Sequence, residues 1–289
     1  MSNRPFAPYL WMLCGCFSFA CMSEFAHGLR EACDWRVVAL ARSSLAFAFA
    51  LTLARLSGAK LVFWRPRVLW LRSCAGSLSL LCTFYALAQL STAEVLTLTN
   101  TFPIWVAVLS WPLLQVRPSW TVWAAAGCGV LGVTLIQSPH FGSSSAATLA
   151  VALALTAALT SAVAMLGLHR LKGLHPWAIV AHFSGVATVV VLGAWAVGPA
   201  VDLAPLSAPA TLAALVGVGV TATLGQLCLT RAFTSGQPAR VSVVGLTQVV
   251  FAMGLDVVLH GPHFDLATVA GIGLVVAPTA WMMTEKALE

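Results

Sequence analysis

The sequence predicts an all-α integral membrane protein with ten transmembrane helices, arranged as two inverted five-helix repeats. Composition, the lengths of the apolar segments and the sorting of basic residues all indicate this fold class. Of 289 residues, 60% are hydrophobic and 8% are charged, whereas a soluble domain carries about 25% charged residues. The net charge of +6 would be compatible with nucleic-acid binding, but the basic residues are not gathered on one face. No nucleic-acid partner is therefore expected.

The ten apolar segments are each about twenty residues long, enough to cross the hydrocarbon core of a bilayer as a helix. The first segment is too long for a typical signal peptide and lacks a convincing cleavage site, so it counts as a helix. The predicted domains are a first repeat at 9–138 and a second at 147–284. Because five is odd, the second repeat enters the bilayer in the opposite sense. The segments are 9–29, 36–57, 68–88, 93–115, 120–137, 147–168, 176–197, 209–230, 238–260 and 266–284.

Basic residues are sorted by membrane side. If the N-terminus is cytoplasmic, only Arg30 and Arg36 fall outside, and Arg42 lies within a segment. Cytoplasmic loops normally carry the excess of Lys and Arg. We therefore predict a multi-pass protein of the plasma (cell inner) membrane with both termini in the cytoplasm. The inner set is Arg4, Arg55, Lys60, Arg65, Arg67, Arg72, Arg117, Arg170, Lys172, Arg231, Arg240 and Lys286.

An internal repeat relates the third to fifth segments to the eighth to tenth. Residues 86–130 align with 232–276 at an offset of 146, which makes the fourth and ninth segments repeat partners. Glu94 in a predicted outer turn aligns with Arg240 in a predicted inner turn. The charge changes sign when the position changes side, as an inverted repeat under the positive-inside bias requires.

Motifs in both halves resemble the EamA-type repeat of the drug/metabolite transporter superfamily. In the first half the resemblance rests on Tyr85-Ala86-Leu87, the turn at 91–94 and Pro103. In the second half, the runs at 226–233, 238–242 and 248–252 are similar to a subgroup that includes organic-anion and S-adenosylmethionine-like carriers. The resemblance covers about residues 9–284. The Glu common after the fourth and ninth helices is absent, where Val116-Arg117 and Gly261-Pro262-His263 stand instead.

The resemblance implies a helical bundle with a substrate cavity between its halves. With the inverted repeat, it predicts a secondary active transporter that moves a small polar or amphipathic metabolite by alternating access. The metabolite is an amino acid, an organic anion or a nucleotide-like cofactor. Expected partners are this substrate, the lipid bilayer, and optionally a coupling proton or counter-substrate. No cofactor or metal is predicted, and the protein is expected to be a monomer or homodimer.

The alternatives are a facilitative channel and a membrane-embedded enzyme. The sequence has no phosphate-binding loop, no His-Glu-x-x-His and no Gly-x-Ser-x-Gly, which are motifs of pumps and hydrolases. We therefore predict that the protein is not an enzyme. Patterns of small residues, such as Gly127-Cys128-Gly129 with Gly132, and Gly271 with Gly273, predict close helix contacts.

Two opposite charges are expected at similar membrane depth. Glu24 on the first helix and Arg42 on the second each lie roughly 20 Å from the inner surface, at 1.5 Å per helical residue. A charge at the bilayer centre costs about 2.5–3.5 kcal/mol or more. Either the two form a structural ion pair, or Arg42 meets an anionic substrate group while Glu24 orients it or exchanges a proton.

Polar and aromatic groups near the midplane complete the candidate substrate site. Asn100 precedes Pro103, which removes a backbone donor and frees a carbonyl one turn earlier. Gln248 lies at comparable depth on the repeat partner, and Trp105 follows Asn100 by about one turn. These three could frame a cavity, or they could serve interhelical hydrogen bonding and packing. Tyr85 is predicted to line the entrance or to anchor at the interface.

Overall fold

The computed structural model describes residues 6–30, 32–138, 145–198, 200–261 and 265–284. Over these residues the chain is helical, with short connections and no strand. Ten spans are long and apolar enough to cross a membrane, which confirms the predicted fold class. The inverted orientation of the second half stays a prediction.

Eight of the spans are single helices, and the fourth and ninth are each built from two. The helices are α1 Ala7–Leu29, α2 Trp35–Leu56, α3 Arg67–Gln89, α4 Thr92–Thr99, α5 Phe102–Leu114, α6 Trp120–Gln137, α7 Ser145–His169, α8 Pro176–Val197, α9 Pro209–Ser235, α10 Pro238–Gly245, α11 Thr247–His260 and α12 Leu266–Thr284. A short 3-10 turn at Ala204–Ser207 precedes α9.

Local sequence signals set where several helices begin. Proline stands in the first turn of α1, α5, α8, α9 and α10, where its missing N–H costs no helical hydrogen bond. Asp34 caps α2 by accepting from the backbone N–H of Arg36 at 2.8 Å. Ser91 and Glu94 form a capping box at the start of α4. These caps satisfy backbone donors that the first turn of a helix leaves without an intrahelical partner.

The spans pack in reciprocal pairs. α1 lies along α9 and α3 lies along α7, while α2 packs on α8 and α6 on α12. In terms of the ten spans, the first pairs with the eighth and the third pairs with the sixth. The second span pairs with the seventh and the fifth with the tenth, which are their equivalents in the other half. A two-fold relation between the halves would produce this pattern.

Glycines allow a close helix approach at the α6–α12 pair. A Cβ on Gly132 would stand 2.6 Å from the carbonyl oxygen of Gly271, and one on Gly271 would stand 2.7 Å from that of Gly132. Because the two backbones touch, neither position has room for a side chain, which confirms the predicted close contact here. Gly127 and Gly273 have no atom within 4 Å of an added Cβ, so the prediction was wrong for them.

Candidate functional site

The fourth and ninth spans are broken at equivalent positions. α4 ends before Asn100 and Thr101, and α10 ends before Leu246. The offset of 146 residues that relates the two halves also relates Asn100 to Leu246. The two breaks lie side by side, since a Cβ on Gly245 would stand 3.0 Å from the Phe102 ring.

Side chains at the first break satisfy the end of α4. The Asn100 amide donates to the carbonyl of Leu96 at 2.7 Å, and the Thr101 hydroxyl donates to that of Leu98 at 2.6 Å. Asn100 is therefore used within its own helix and does not bridge to a neighbour through its amide donor. The sequence left open a cavity role or an interhelical hydrogen bond for Asn100, and the structure shows its amide donor bonded within α4 instead.

A small cavity lies between the halves, with room for roughly one water molecule. Its walls come from α2 and α3 in the first half and from α8 and α9 in the second. The polar lining residues are Arg42, Ser43, Ser184 and Gln226, and the apolar walls include Leu80 and Phe183.

Arg42 enters this cavity from α2. Its Nε donates to the thioether sulfur of Met22 at 3.3 Å, and sulfur is a weak acceptor. Arg42 forms no ion pair with a carboxylate in the described part of the chain, so of the two alternatives for Glu24 and Arg42 the structural ion pair is not formed. Depth alone did not decide the pairing, because it does not fix which way each helix face points.

Arg72 is the largest fully buried side chain, with 1% of its surface exposed. Its Nη2 donates to Gln226 Oε1 at 3.1 Å, and its guanidinium stacks 3.9 Å from the centre of the Phe183 ring. Its Nε and Nη1 have no hydrogen-bond partner among the described residues. A buried donor without a partner costs about 1–3 kcal/mol, and a guanidinium does not lose its proton to avoid that cost.

A histidine cluster lies next to Arg72. His182 Nε2 is 3.2 Å from the Phe63 carbonyl, and Nδ1 is 2.8 Å from the Ser73 hydroxyl. Because a carbonyl only accepts, Nε2 carries the proton of the neutral ring and Ser73 donates to Nδ1. The Trp70 ring packs edge-on against His182 at 4.8 Å. The cluster ties the α2–α3 connection, which contains Phe63, to α8 of the other half.

The structure brings one of the six predicted site residues to the cavity, namely Arg42. Glu24 and Tyr85 are half-buried on α1 and α3. Trp105 packs against a core cluster that includes Val106 and Met282. Gln248 stands two residues after the second break, half-buried. Binding roles for Glu24, Arg42, Tyr85, Asn100, Trp105 and Gln248 stay predictions.

Sequence reasoning missed the role of Arg72. It counted this arginine among the basic residues that mark the inner side, whereas the side chain is fully buried. The available signal was its position two residues beyond Trp70, already inside an apolar segment. Gln226 is also buried and is the hydrogen-bond partner of Arg72.

Outside the bilayer core, Asp34 and Arg36 form a bidentate ion pair at the start of α2. The Nε–Oδ1 distance is 3.0 Å and the Nη2–Oδ2 distance is 3.1 Å. The hydrogen bonds from Arg36 hold the pKa of the Asp34 carboxyl below its ordinary value. This arginine therefore has the carboxylate partner that Arg42 and Arg72 lack within the described residues.

The fold and the cavity define a multi-pass membrane protein with polar groups enclosed between two matching halves. The EamA-like transporter family matches residues 6–138 and 147–284, so the chain belongs to this family. It is thus a membrane transporter of a small metabolite. The family resemblance inferred from the motifs is confirmed.

Individual relatives agree with the family assignment. Two proteins of Pseudomonas aeruginosa, from strains UCBPP-PA14 and PAO1, are each named pseudopaline exporter CntI. Each is 29% identical to this chain, over 276 and 280 residues respectively, covering 93% of this chain and 94% of the relative. An uncharacterized transporter of Helicobacter pylori is 22% identical over 212 residues, covering 71% of this chain and 69% of its own.

A solved crystal structure shares the fold. It superposes with a TM-score of 0.82 at 16% identity, and the match covers 96% of this chain and 98% of that one. At this identity the likeness concerns the fold alone.

Proposed function

We propose that the protein is a secondary active transporter that exports a small polar or amphipathic metabolite across the plasma membrane by alternating access. The observation that carries this proposal is the polar cavity walled by α2 and α3 of one half and by α8 and α9 of the other. A site between two halves can face each side in turn when the halves rock against each other.

The paired helix breaks support the same proposal. Spans interrupted at corresponding positions of two halves are a feature of carriers whose site lies near the bilayer midplane. Here the breaks adjoin at Phe102 and Gly245, and Asn100 and Gln248 each lie within two residues of a break. These two residues are proposed to contact substrate when the cavity widens.

The direction of transport and the first compound to test come from the relatives. Both Pseudomonas aeruginosa proteins are named as exporters of pseudopaline. We therefore propose outward transport, with both termini in the cytoplasm. A reporter fused after residue 289 should be active on the cytoplasmic side, and an external signal would contradict this topology.

A reconstituted transport assay tests the proposal. The purified protein would first be screened by thermal shift against pseudopaline, amino acids, carboxylates, nucleosides and methylated cofactors. A compound that raises the melting temperature would then be measured in proteoliposomes as a labelled solute. We expect saturable uptake that is accelerated by unlabelled compound on the opposite side.

Two other outcomes would replace the carrier with an alternative. Flux that rises linearly with concentration and ignores compound on the opposite side would indicate a channel. Chemical conversion of the solute by the protein would indicate an enzyme.

A further inference from the structure

We infer that the cavity between α2, α3, α8 and α9 binds a carboxylate group of the transported substrate. Arg42 is the direct ligand, and Arg72 is a positioning residue that acts through Gln226. This inference rests on the proposed carrier function and adds to it the chemical class of the substrate, which is an organic acid.

The described residues that line the cavity offer several hydrogen-bond donors and include no negatively charged group. Arg42 has only the Met22 sulfur as a polar partner within the described residues. The Ser184 hydroxyl and the Gln226 amide nitrogen also line the cavity, and neither hydrogen-bonds to a described residue. A carboxylate accepts several hydrogen bonds and carries the charge that a guanidinium binds most strongly.

Arg72 fixes the orientation of the Gln226 amide. A guanidinium has no acceptor, so only the Gln226 oxygen can face Arg72 Nη2 at the observed 3.1 Å. The amide nitrogen is thereby directed away from Arg72 and remains free for a ligand. The buried charge on Arg72 also polarises this amide, which makes it a better donor to an anion.

The two arginines together leave positive charge uncompensated. Within the residues that the structure describes, neither Arg42 nor Arg72 forms an ion pair with a carboxylate. Their like charges repel each other across the cavity wall formed by Phe183 and Gln226. A bound anion would reduce this repulsion and supply the missing acceptor, which favours anionic over neutral or cationic substrates.

The size of the cavity favours a carboxylate over a phosphate. Room for roughly one water molecule is too little for a whole metabolite, so the site holds one end of the substrate and widens as the halves move. A flat carboxylate needs less widening than a tetrahedral phosphate, and its two oxygens can pair with the donors along the edge of the Arg42 guanidinium.

Binding of defined acids to the full-length purified protein tests the inference. The probes are succinate, glutarate, citrate and N-acetylated amino acids, each compared with its neutral amide and with methylphosphonate. We expect at least one acid to bind saturably by calorimetry, at least tenfold more tightly than its amide and than methylphosphonate. Arg42→Gln should weaken this acid at least tenfold, and Arg42→Lys, which keeps the charge, should recover part of the loss.

A second variant, Gln226→Glu, places a carboxylate of the protein itself beside Arg72. In Gln226→Glu the new side chain can pair with Arg72, which should raise the melting temperature and weaken the acid at least tenfold. Gln89→Glu, at the exposed end of α3, is the matched control and should leave the affinity for the acid unchanged.

The possible results separate this inference from the carrier proposal. Any of four results would overturn the carboxylate site. They are binding of no acid, equal binding of an acid and its amide, tighter binding of methylphosphonate, and full affinity for the acid in Arg42→Gln. If Arg42→Gln does not fold, the test passes to Gln226→Glu. Unchanged affinity for the acid in that variant would overturn the carboxylate site. Saturable, trans-stimulated flux of a neutral compound would then keep the carrier while removing the acid. Absence of such flux for every compound, with acid binding intact, would remove the carrier alone.

Discussion

Two regions of this protein hold a buried arginine in opposite ways. At the start of α2, Arg36 is 5% exposed and makes a bidentate pair with Asp34. At the cavity, Arg72 is 1% exposed and has one hydrogen bond, to an uncharged amide, with two donors unpartnered among the described residues. The first arrangement stabilises the fold by itself. The arrangement at Arg72 lowers the stability of the folded protein, and a loss of stability of this kind is typical of a functional site.

The largest expected effect is that of replacing Arg72, which should lower transport without lowering stability to the same extent. Arg72→Met removes unsatisfied donors from an apolar site, so the free energy of unfolding should fall by less than about 1 kcal/mol or rise. Transport should fall at least tenfold, because Gln226 is no longer held in place. Chemical unfolding and proteoliposome flux measure the two quantities.

Arg36→Met is the matched comparison for the paired region. It leaves the Asp34 carboxylate without its guanidinium partner, so the free energy of unfolding should fall, while the affinity for the transported compound stays within twofold. If Arg72→Met lowered stability more than Arg36→Met, the contrast between the two regions would be wrong.

A second prediction concerns the one polar partner of Arg72. Gln226→Leu removes the acceptor at 3.1 Å and leaves a third guanidinium donor unsatisfied. The free energy of unfolding should fall by about 1–3 kcal/mol. The double variant Arg72→Met/Gln226→Leu should recover most of this loss, which a thermodynamic cycle of the four proteins measures. Absence of recovery would mean that Gln226 acts independently of Arg72.

A third prediction separates the two roles of Asp34. Asp34→Asn keeps a good helix cap but loses the charge opposite Arg36, so it should cost less than about 1 kcal/mol at this partly exposed position. Asp34→Ala loses cap and charge together and should cost about 1–2 kcal/mol. Melting temperatures of the two variants against the native protein give the order. Equal losses would show that the side-chain cap contributes nothing beyond the ion pair.

The smallest effect is a pH dependence of the same pair. The pKa of Asp34 is lowered in the folded protein by Arg36, so the folded state binds fewer protons than the unfolded state near the unfolded pKa of about 3.9. Its contribution is complete above that value and is lost as the pH falls through the folded pKa. The melting difference between native protein and Asp34→Asn should be constant from pH 5 to 8 and shrink below about pH 4. A difference that grows on acidification would contradict this sign.

The sequence predicted the spans well because span length and hydropathy are local properties. It also identified Arg42 as a candidate site residue, because a charged residue far inside an apolar segment is evident from the sequence alone. Arg72 escaped because it lies five residues after the start of α3, where the positive-inside bias already explained an arginine. Its burial comes from Phe183 and Gln226, which belong to the other half of the molecule.

The helix breaks show a similar division. Pro103 indicated a local disturbance of the fourth span, and the structure breaks there at Asn100 and Thr101. The ninth span breaks at Leu246 without a proline inside it. Only its equivalence to Asn100 across the 146-residue offset marks that site. At this break Gly245 lies against the Phe102 ring of the first break, a contact between distant segments that neither segment indicates alone.

The contacts of His182 have a consequence for how the two halves are held together. The ring reaches the Phe63 carbonyl and the Ser73 hydroxyl, so it links α8 both to the α2–α3 connection and to α3 itself. Separating the halves at this end requires both hydrogen bonds to break and the Trp70 and Phe63 rings to part from the imidazole. His182 therefore stabilises the present arrangement of α8 against α3 and the segment that contains Phe63.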